Sequence, residues 1–193
     1  YYRRVDTALL ERSVRSILAQ THQNLELLIC DDGSSDEAAA LLDELARQDT
    51  RIRLLRPGNA YSLPCKLNLC LQNARGRWIA RMDDDDFSHP ERLEKQMNYL
   101  QAHPESGFVG CNVSLVQGKN AVGVRRLPEQ PSVRDFYFAQ PFIHPTLLFR
   151  REALMQVNGY SEDKCCLLCE DYDLLLRLYA TGCRGANLQE ILF

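Results

Sequence analysis

Three acidic groupings carry the side chains most able to do chemistry: "MDDDD" at 82–86, "CDDGS" at 30–34 and "CEDYD" at 169–173. In an extended segment, side chains two apart share a face, so Asp83 and Asp85 point one way and Asp84 the other. Unit charges about 6.5 Å apart repel by roughly 2–3 kcal/mol at an effective dielectric near 20. Four consecutive aspartates are tolerable on an open loop; at the mouth of a buried strand they need raised pKa values or a cation. Hard cations such as Mg2+ or Mn2+ take oxygen ligands, commonly one or two carboxylates plus substrate phosphates. A strand-end acid pair therefore suits a metal–diphosphate. The plain alternative is a solvated turn ahead of a helix N-terminus, where negative charge is favoured anyway. A second acidic cluster at another strand end weakens that alternative. Glu170 and Asp171 begin a helix, which by itself explains their charge. A carboxylate held there beside a metal site is equally suited to take a proton from an attacking hydroxyl. The residues alone leave those two readings level.

The elements that must position these acids alternate between helix and strand. Apolar residues at 9, 10, 14, 17 and 18 make a helical stripe over 7–21. "LELLICD" (25–31) is a short apolar run suited to a buried parallel strand. Ser34 and Glu37 fit a capping box ahead of an alanine/leucine helix. Residues 52–55 read as a strand, 63–74 as a helix, and "RWIARM" (77–82) as the strand that delivers the four aspartates. Pro90 suits the first turn of a helix over 90–103. Residues 108–116 and 121–127 form two strands joined at the polar turn "QGKN", and 141–150 is extended, with a short helix from Arg151. The last helix spans 170–182, with Gly182 beyond its final turn. Such alternation predicts an α/β fold, Rossmann-like, with a mostly parallel central sheet flanked by helices and a small antiparallel portion. Ligands of such sheets bind beyond the carboxyl ends of the strands. "CDDGS" and "MDDDD" both belong to that rim.

A chain of 193 residues with 45% apolar content can build a single domain with a substantial core. A net charge of −3 and scattered basic residues argue against a nucleic-acid or anionic-membrane partner. No run approaches the roughly 18 apolar residues that span a bilayer, and none reads as a signal peptide. Peripheral contact with a membrane is compatible with this composition. Among the eight cysteines, Cys166 and Cys169 form a C-x-x-C. A zinc site needs a second ligand pair at comparable spacing, and none is evident. Reduced thiols in a cytoplasmic compartment are the expectation.

Four segments, in order and at fitting spacing, resemble family-2 glycosyltransferases of the GT-A fold. They are "SVRSILAQTHQNLELLICDDGSSDE", "LNLCLQNARGRWIARMDDDDFSHPERLEKQ", "HPTLLFRREAL" and "NGYSEDKCCLLCEDYDLLLRL". The resemblance covers nearly the whole chain. It implies transfer of a sugar from a nucleotide-diphosphate donor, commonly a uridine nucleotide, to an acceptor hydroxyl with inversion. By resemblance, Asp32 hydrogen-bonds the nucleotide base, and Asp85 is the divalent-metal ligand of a D-x-D-type motif. Asp83 and Asp84 then lie near the ribose and diphosphate, and Asp171 of the E-D motif is the base, with Glu170 beside it at the donor. His144 matches a recurrent position near the donor; read on its own, a lone histidine is more often a packed, hydrogen-bonded residue. The implied cofactor is Mn2+ or Mg2+. The implied acceptor is a glycan, a lipid-linked glycan or another hydroxyl compound, in polysaccharide or cell-surface glycan synthesis at the cytoplasmic face of a membrane.

The sequence also departs from that pattern. Members of the family usually begin with a strand of the type "VSVIIPVYN", whereas this chain opens "YYRRVD". Tyr1 then stands at the end of that strand, where an aromatic ring stacks on the base. The expectation is one catalytic domain over 1–193 that lacks its first strand and its C-terminal region. In "NAYSLPCKLN", Ser62 replaces the usual glycine. Two rivals remain: a sugar-nucleotide nucleotidyltransferase, and a non-catalytic nucleotide-sugar-binding domain.

Overall fold

A computed structural model describes residues 6–58, 62–118 and 120–193; Tyr1 lies outside the described residues. Helix α1, Thr7–Leu18, is capped by Asp6, whose carboxylate accepts from the Ala8 N–H at 2.9 Å. Strand β1, Leu27–Cys30, and strand β2, Ile52–Leu55, pair in parallel with Leu27 opposite Ile52, and α2, Asp36–Gln48, crosses between them. The α2 cap is Ser35, not Ser34: Ser35 Oγ accepts from the Ala38 N–H, while the Ser34 N–H donates to Asp31 Oδ1 at 3.1 Å. Gly33, at φ +82°, makes the left-handed turn that draws Ser34 back toward Asp31 and delays the helix by one residue.

Helix α3, Leu63–Asn73, leads to β3, Trp78–Ala80. Ser62 precedes α3 at φ −65°, an ordinary value for any residue, so serine fits where the family uses glycine. Helix α4, Arg92–Ala102, starts two residues after Pro90, whose carbonyl accepts from the Thr21 N–H at 2.8 Å. Next come β4, Ser106–Gln117, and β5, Asn120–Arg125, followed by β6, Leu148–Arg150, and α5, Arg151–Gln156. Helix α6, Glu170–Ala180, is followed by Gly182 at φ +86°, as expected of a residue just past a helix end.

A final strand, β7, Arg184–Ile191, had no clear signal in the sequence. Its polar Asn187, Gln189 and Glu190 break the apolar run, yet it pairs in parallel with β4 and is buried at 185–187. Gly185 allows this, because a Cβ there would stand 2.2 Å from the Phe108 ring. The second sheet has the order β3-β6-β4-β5, with β7 also against β4. Pairs β3–β6, β6–β4 and β4–β5 are antiparallel. The fold is mixed α/β as the alternation implied, with a larger antiparallel share than the small portion expected.

The core is unevenly distributed. Phe108, Phe149, Leu174, Leu175 and Leu178 form a deep cluster between the larger sheet and α6. Fully burying each such side chain is worth roughly 1.5–3 kcal/mol. A smaller cluster joins Leu10 and Val14 of α1 to Leu42, Leu45 and Ile52. Strands β1 and β3 lie between these masses, and no residue of either is fully buried. A cleft of about 1130 Å³ separates them. No helix among the described residues is long and apolar enough to cross a membrane.

Candidate active site

The end of β1 carries two acids with different surroundings. Asp31 is buried, and its carboxylate accepts from the Ser34 N–H at 3.1 Å and from Arg56 Nε at 2.9 Å. Burial pushes its pKa upward, but the Ser34 and Arg56 hydrogen bonds outweigh that and hold it below the usual value. Asp32, with a side chain only 6% exposed, pairs with Lys66 Nζ of α3 at 3.1 Å.

The end of β3 is built differently. Arg81, itself buried, pairs with the Asp83 carboxylate and donates to the Met82 carbonyl. Among the described residues its buried Nε–H has no hydrogen-bond partner. Helix α1 clamps the aspartate loop from behind: Arg12 donates to the Asp85 carbonyl at 3.1 Å and Ser13 Oγ to the Asp83 carbonyl at 2.8 Å. Ser16 Oγ accepts from the Ser88 N–H at 3.1 Å. Gln20 closes the set, donating to the His89 carbonyl at 2.8 Å and accepting from the Leu93 N–H at 3.0 Å. Ser13, Ser16 and Gln20 recur at i, i+3 and i+7, one helical face.

The carboxyl side chains of this loop crowd one another. Asp86 is pushed up to about 6, by burial first and then by Asp83 and Asp85. Asp84 is raised too, by desolvation and by Asp85, although its residue surface is largely open to solvent. Carboxylate oxygens are the hard donors that Mg2+ or Mn2+ takes, and added positive charge there would offset the mutual repulsion that helps raise Asp84 and Asp86. Among the described residues no three carboxylate, imidazole or thiol groups form a ready cage. Such a cation would be held with substrate phosphates rather than by protein alone.

The third acidic group is tied to the second through a buried pair. His144 Nε2 and the Tyr160 hydroxyl lie 2.8 Å apart. Burial holds the His144 pKa far below its ordinary value, with Arg81 adding and Asp171 opposing, so the imidazole is neutral. Tyr160 is raised by burial, and it also feels Arg81, Asp171, Asp83 and Glu170. The β3 end and the α6 start therefore face one neighbourhood. Asp171 itself accepts from Gln140 Nε2 at 2.8 Å and, through Oδ1, from the Tyr172 N–H at 2.8 Å. The Tyr172 hydroxyl donates to the Phe136 carbonyl at 2.7 Å, fixing the start of α6 against segment 132–140.

Of the residues singled out from sequence, Asp83, His144, Glu170 and Asp171 gather around Tyr160, and Asp84 and Asp85 adjoin Asp83. Asp32 stands on the β1 side. Between the two sides the Cys70 thiol, pushed up to about 11 by burial, neighbours both Cys30 and Arg81. Lys66, Arg81, Asp86, Gln140 and Tyr160 were not singled out. A buried cation placed directly before four acids was a readable signal for Arg81; Gln140 and Tyr160 had none. The cysteines of the C-x-x-C are free thiols.

Residues 1–157 match the model of Glycosyl transferase family 2. The chain is 37% identical over 185 residues to Putative glycosyltransferase EpsE of Bacillus subtilis, covering 95% of this chain and 66% of that protein. It is 33% identical over 188 residues to O-antigen biosynthesis glycosyltransferase WbnJ of Escherichia coli, covering 93% and 71%. Mannosyltransferase PcManGT of Pyrobaculum calidifontis, solved with GDP-Man and Mn2+, superposes with a TM-score of 0.74 at 20% identity, over 98% of this chain and 53% of that one. That match carries the GT-A fold. The chain thus spans about two thirds of the first of these relatives and about half of the solved structure.

Proposed function

The chain belongs to glycosyl transferase family 2, and from that premise we propose that it moves a sugar from a nucleotide-diphosphate donor to an acceptor hydroxyl with inversion. The observation that carries this reading is the shared neighbourhood of Asp83, Arg81, Asp171 and Glu170 around the His144–Tyr160 pair. Two acidic elements far apart in sequence meet there, one suited to a diphosphate and the other to a proton.

In this reading Asp32, with Lys66, takes the nucleotide base on the β1 side, and Tyr1 adds a stacking ring. Asp83 and Asp84 serve the ribose and diphosphate, and Glu170 lies beside the donor sugar. Asp85 is the residue that would hold Mn2+ or Mg2+, and such a cation offsets negative charge on the departing diphosphate. Asp171, oriented by Gln140, accepts the proton of the acceptor hydroxyl as its oxygen bonds to the anomeric carbon. The bond from that carbon to the diphosphate oxygen breaks, and the electron pair leaves with the nucleotide. Base and leaving group flank opposite faces of the sugar, hence inversion. His144, hydrogen-bonded to the buried Tyr160 hydroxyl, lies near the donor as a packed neutral group rather than a source of protons. The likeness to WbnJ, named for O-antigen biosynthesis, supports a glycan acceptor; a lipid-linked form of it and peripheral association with the inner face of a membrane belong to the same proposal.

Product analysis tests the class of reaction. Nucleotide sugars incubated with the protein, Mn2+ and a panel of glycan acceptors are expected to release nucleoside diphosphate. Release of pyrophosphate from a sugar phosphate and a nucleoside triphosphate would instead identify a nucleotidyltransferase. Tight donor binding with no turnover on any acceptor favours the binding-domain alternative.

A further inference from the structure

We infer that Cys166 and Cys169 are a dithiol site that a small-molecule disulfide converts reversibly to an intrachain disulfide, clamping the start of α6. The inference rests on thiol geometry and stands apart from the reaction proposed above.

Cys165, Cys166 and Cys169 are three thiols within five residues, the first and last of them exposed. The Cys165 and Cys166 sulfurs lie 3.8 Å apart, and the Cys169 thiol donates to the Cys166 carbonyl at 3.4 Å. The backbone decides which two can join. The Cys169 N–H donates to the Cys166 carbonyl at 3.1 Å, and Leu167, at φ −61° and ψ 133°, is followed by Leu168 at φ +69°. That is a type II turn with Cys166 and Cys169 at its two ends, which places their Cα atoms within about 7 Å. Disulfides span Cα separations of about 4.4–6.8 Å. Neighbouring Cys165 and Cys166 are held to about 3.8 Å by the peptide between them, too short for an unstrained bridge.

Glycine or asparagine ordinarily fills the third position of such a turn. Leucine stands there with its residue surface 98% exposed, so packing does not offset the left-handed backbone. A turn held this way pre-arranges the two cysteines and reduces the entropy lost when they join.

The buried thiols elsewhere are poor competitors. Burial pushes Cys70 and Cys111 up to about 11 and raises Cys30 and Cys183 as well, whereas thiols react as thiolates. Within the cluster, Cys165 is raised by the Cys166 sulfur beside it and so keeps its proton. Cys169 is raised by partial desolvation and then by Cys166, Glu170, Asp173 and Asp171, which suits it to the second, intramolecular step.

The chemistry is two exchanges. The Cys166 thiolate attacks a sulfur of the small disulfide, whose S–S bond breaks and whose far half leaves as a thiolate. The Cys169 thiolate then attacks the Cys166 sulfur and displaces the other half. Two cysteine thiols are oxidised to one disulfide, the reagent is reduced to two thiols, and the cysteine protons pass through solvent to the leaving thiolates. Cys169 is also the residue ahead of α6, and its carbonyl accepts the Asp173 N–H at 2.9 Å. The bridge therefore ties the first turn of α6 to the preceding loop.

Glutathione buffers at graded ratios of disulfide to thiol, followed by acid quench, alkylation and peptide mass mapping, test this on the 193-residue chain. A bridge between Cys166 and Cys169 is expected, reversed by excess thiol, with an equilibrium constant about tenfold or more above that of the same chain in urea. Cys165→Ser should retain it. Leu168→Pro, which cannot hold a positive φ, should lower the constant by about tenfold, and the urea comparison needs no variant. Oxidation should slow amide exchange at Tyr172 and Asp173 by roughly tenfold. Mixed glutathione adducts without a bridge, a bridge formed equally in urea, or a folded Leu168→Pro chain that bridges like the parent would each overturn the dithiol site. Unchanged exchange at the two amides in the bridged protein would overturn the clamp.

Discussion

Strands β1 and β6 are both short and largely apolar, "LLIC" and "LFR", yet they live in different environments. All three residues of β6 are buried, flanked by β3 and β4 and covered by the aromatic cluster around Phe108 and Phe149. All four residues of β1 are only half-buried, with β2 on one side and the cleft on the other. The acids at the two rims differ in the same way. On the β1 side Asp31 meets Arg56 and Asp32 meets Lys66. On the β3 side Asp84 and Asp86 are raised by burial and by their acidic neighbours. One half thus resembles a neutralised wall, and the other a site poised for added positive charge.

The comparison can be broken most forcefully at the reaction side. Asp171→Asn is expected to lower kcat by about 10²–10⁴-fold with donor affinity retained, the range typical of a lost general base. On the wall side, Lys66→Ala should instead weaken donor binding and spare kcat once donor saturates. Steady-state kinetics separates the two, and a shared effect on both parameters in both variants would dissolve the distinction.

Stability supplies the next largest contrast. Leu174→Ala, in the deep cluster, is expected to cost about 2–5 kcal/mol. Leu28→Ala, in a half-buried strand, should cost less than half as much in the same urea titration. Equal losses would mean that the two halves are equally packed.

A smaller effect distinguishes the acids by sign. Asp86 is raised to about 6, so between pH 4 and 6 the unfolded chain ionises while the folded one keeps its proton. This group therefore subtracts stability as pH rises through that window, and Asp86→Asn should remove the decline. Asp31 is lowered, so its contribution is present above the usual aspartate pKa and is lost as pH falls through the folded value. Thermal melts of Asp86→Asn and Asp31→Asn across pH 3–7 should diverge in opposite directions from the parent. Parallel curves would contradict the assignment.

Much of this was legible in the sequence because period and charge carry it. Leu9, Leu10, Val14 and Ile17 announced α1, the apolar run before "CDDGS" announced β1, and Gly182 marked the end of α6. The two acidic strand ends were visible as letters. Strand β7 was not, since the buried Asn187 donates its side-chain N–H2 to the Pro128 and Pro141 carbonyls, which are tertiary partners at 2.8 and 3.1 Å. Ser35 took the cap from Ser34 because Asp31 competes for the Ser34 amide, a contact that propensity does not contain. Gln140 and Tyr160 belong to the same class: each acts through a neighbour remote in sequence, Asp171 and His144 respectively.

The central claim is that both rim halves serve one nucleotide-sugar, with a cation on the β3 side. Calorimetric titration of a nucleotide sugar with and without Mn2+ tests it most directly. The account predicts that Mn2+ tightens donor binding by about 5–150-fold, that donor tightens Mn2+ reciprocally, and that Asp85→Ala abolishes the coupling. Donor binding that is indifferent to Mn2+, or coupling that survives in Asp85→Ala, would contradict it.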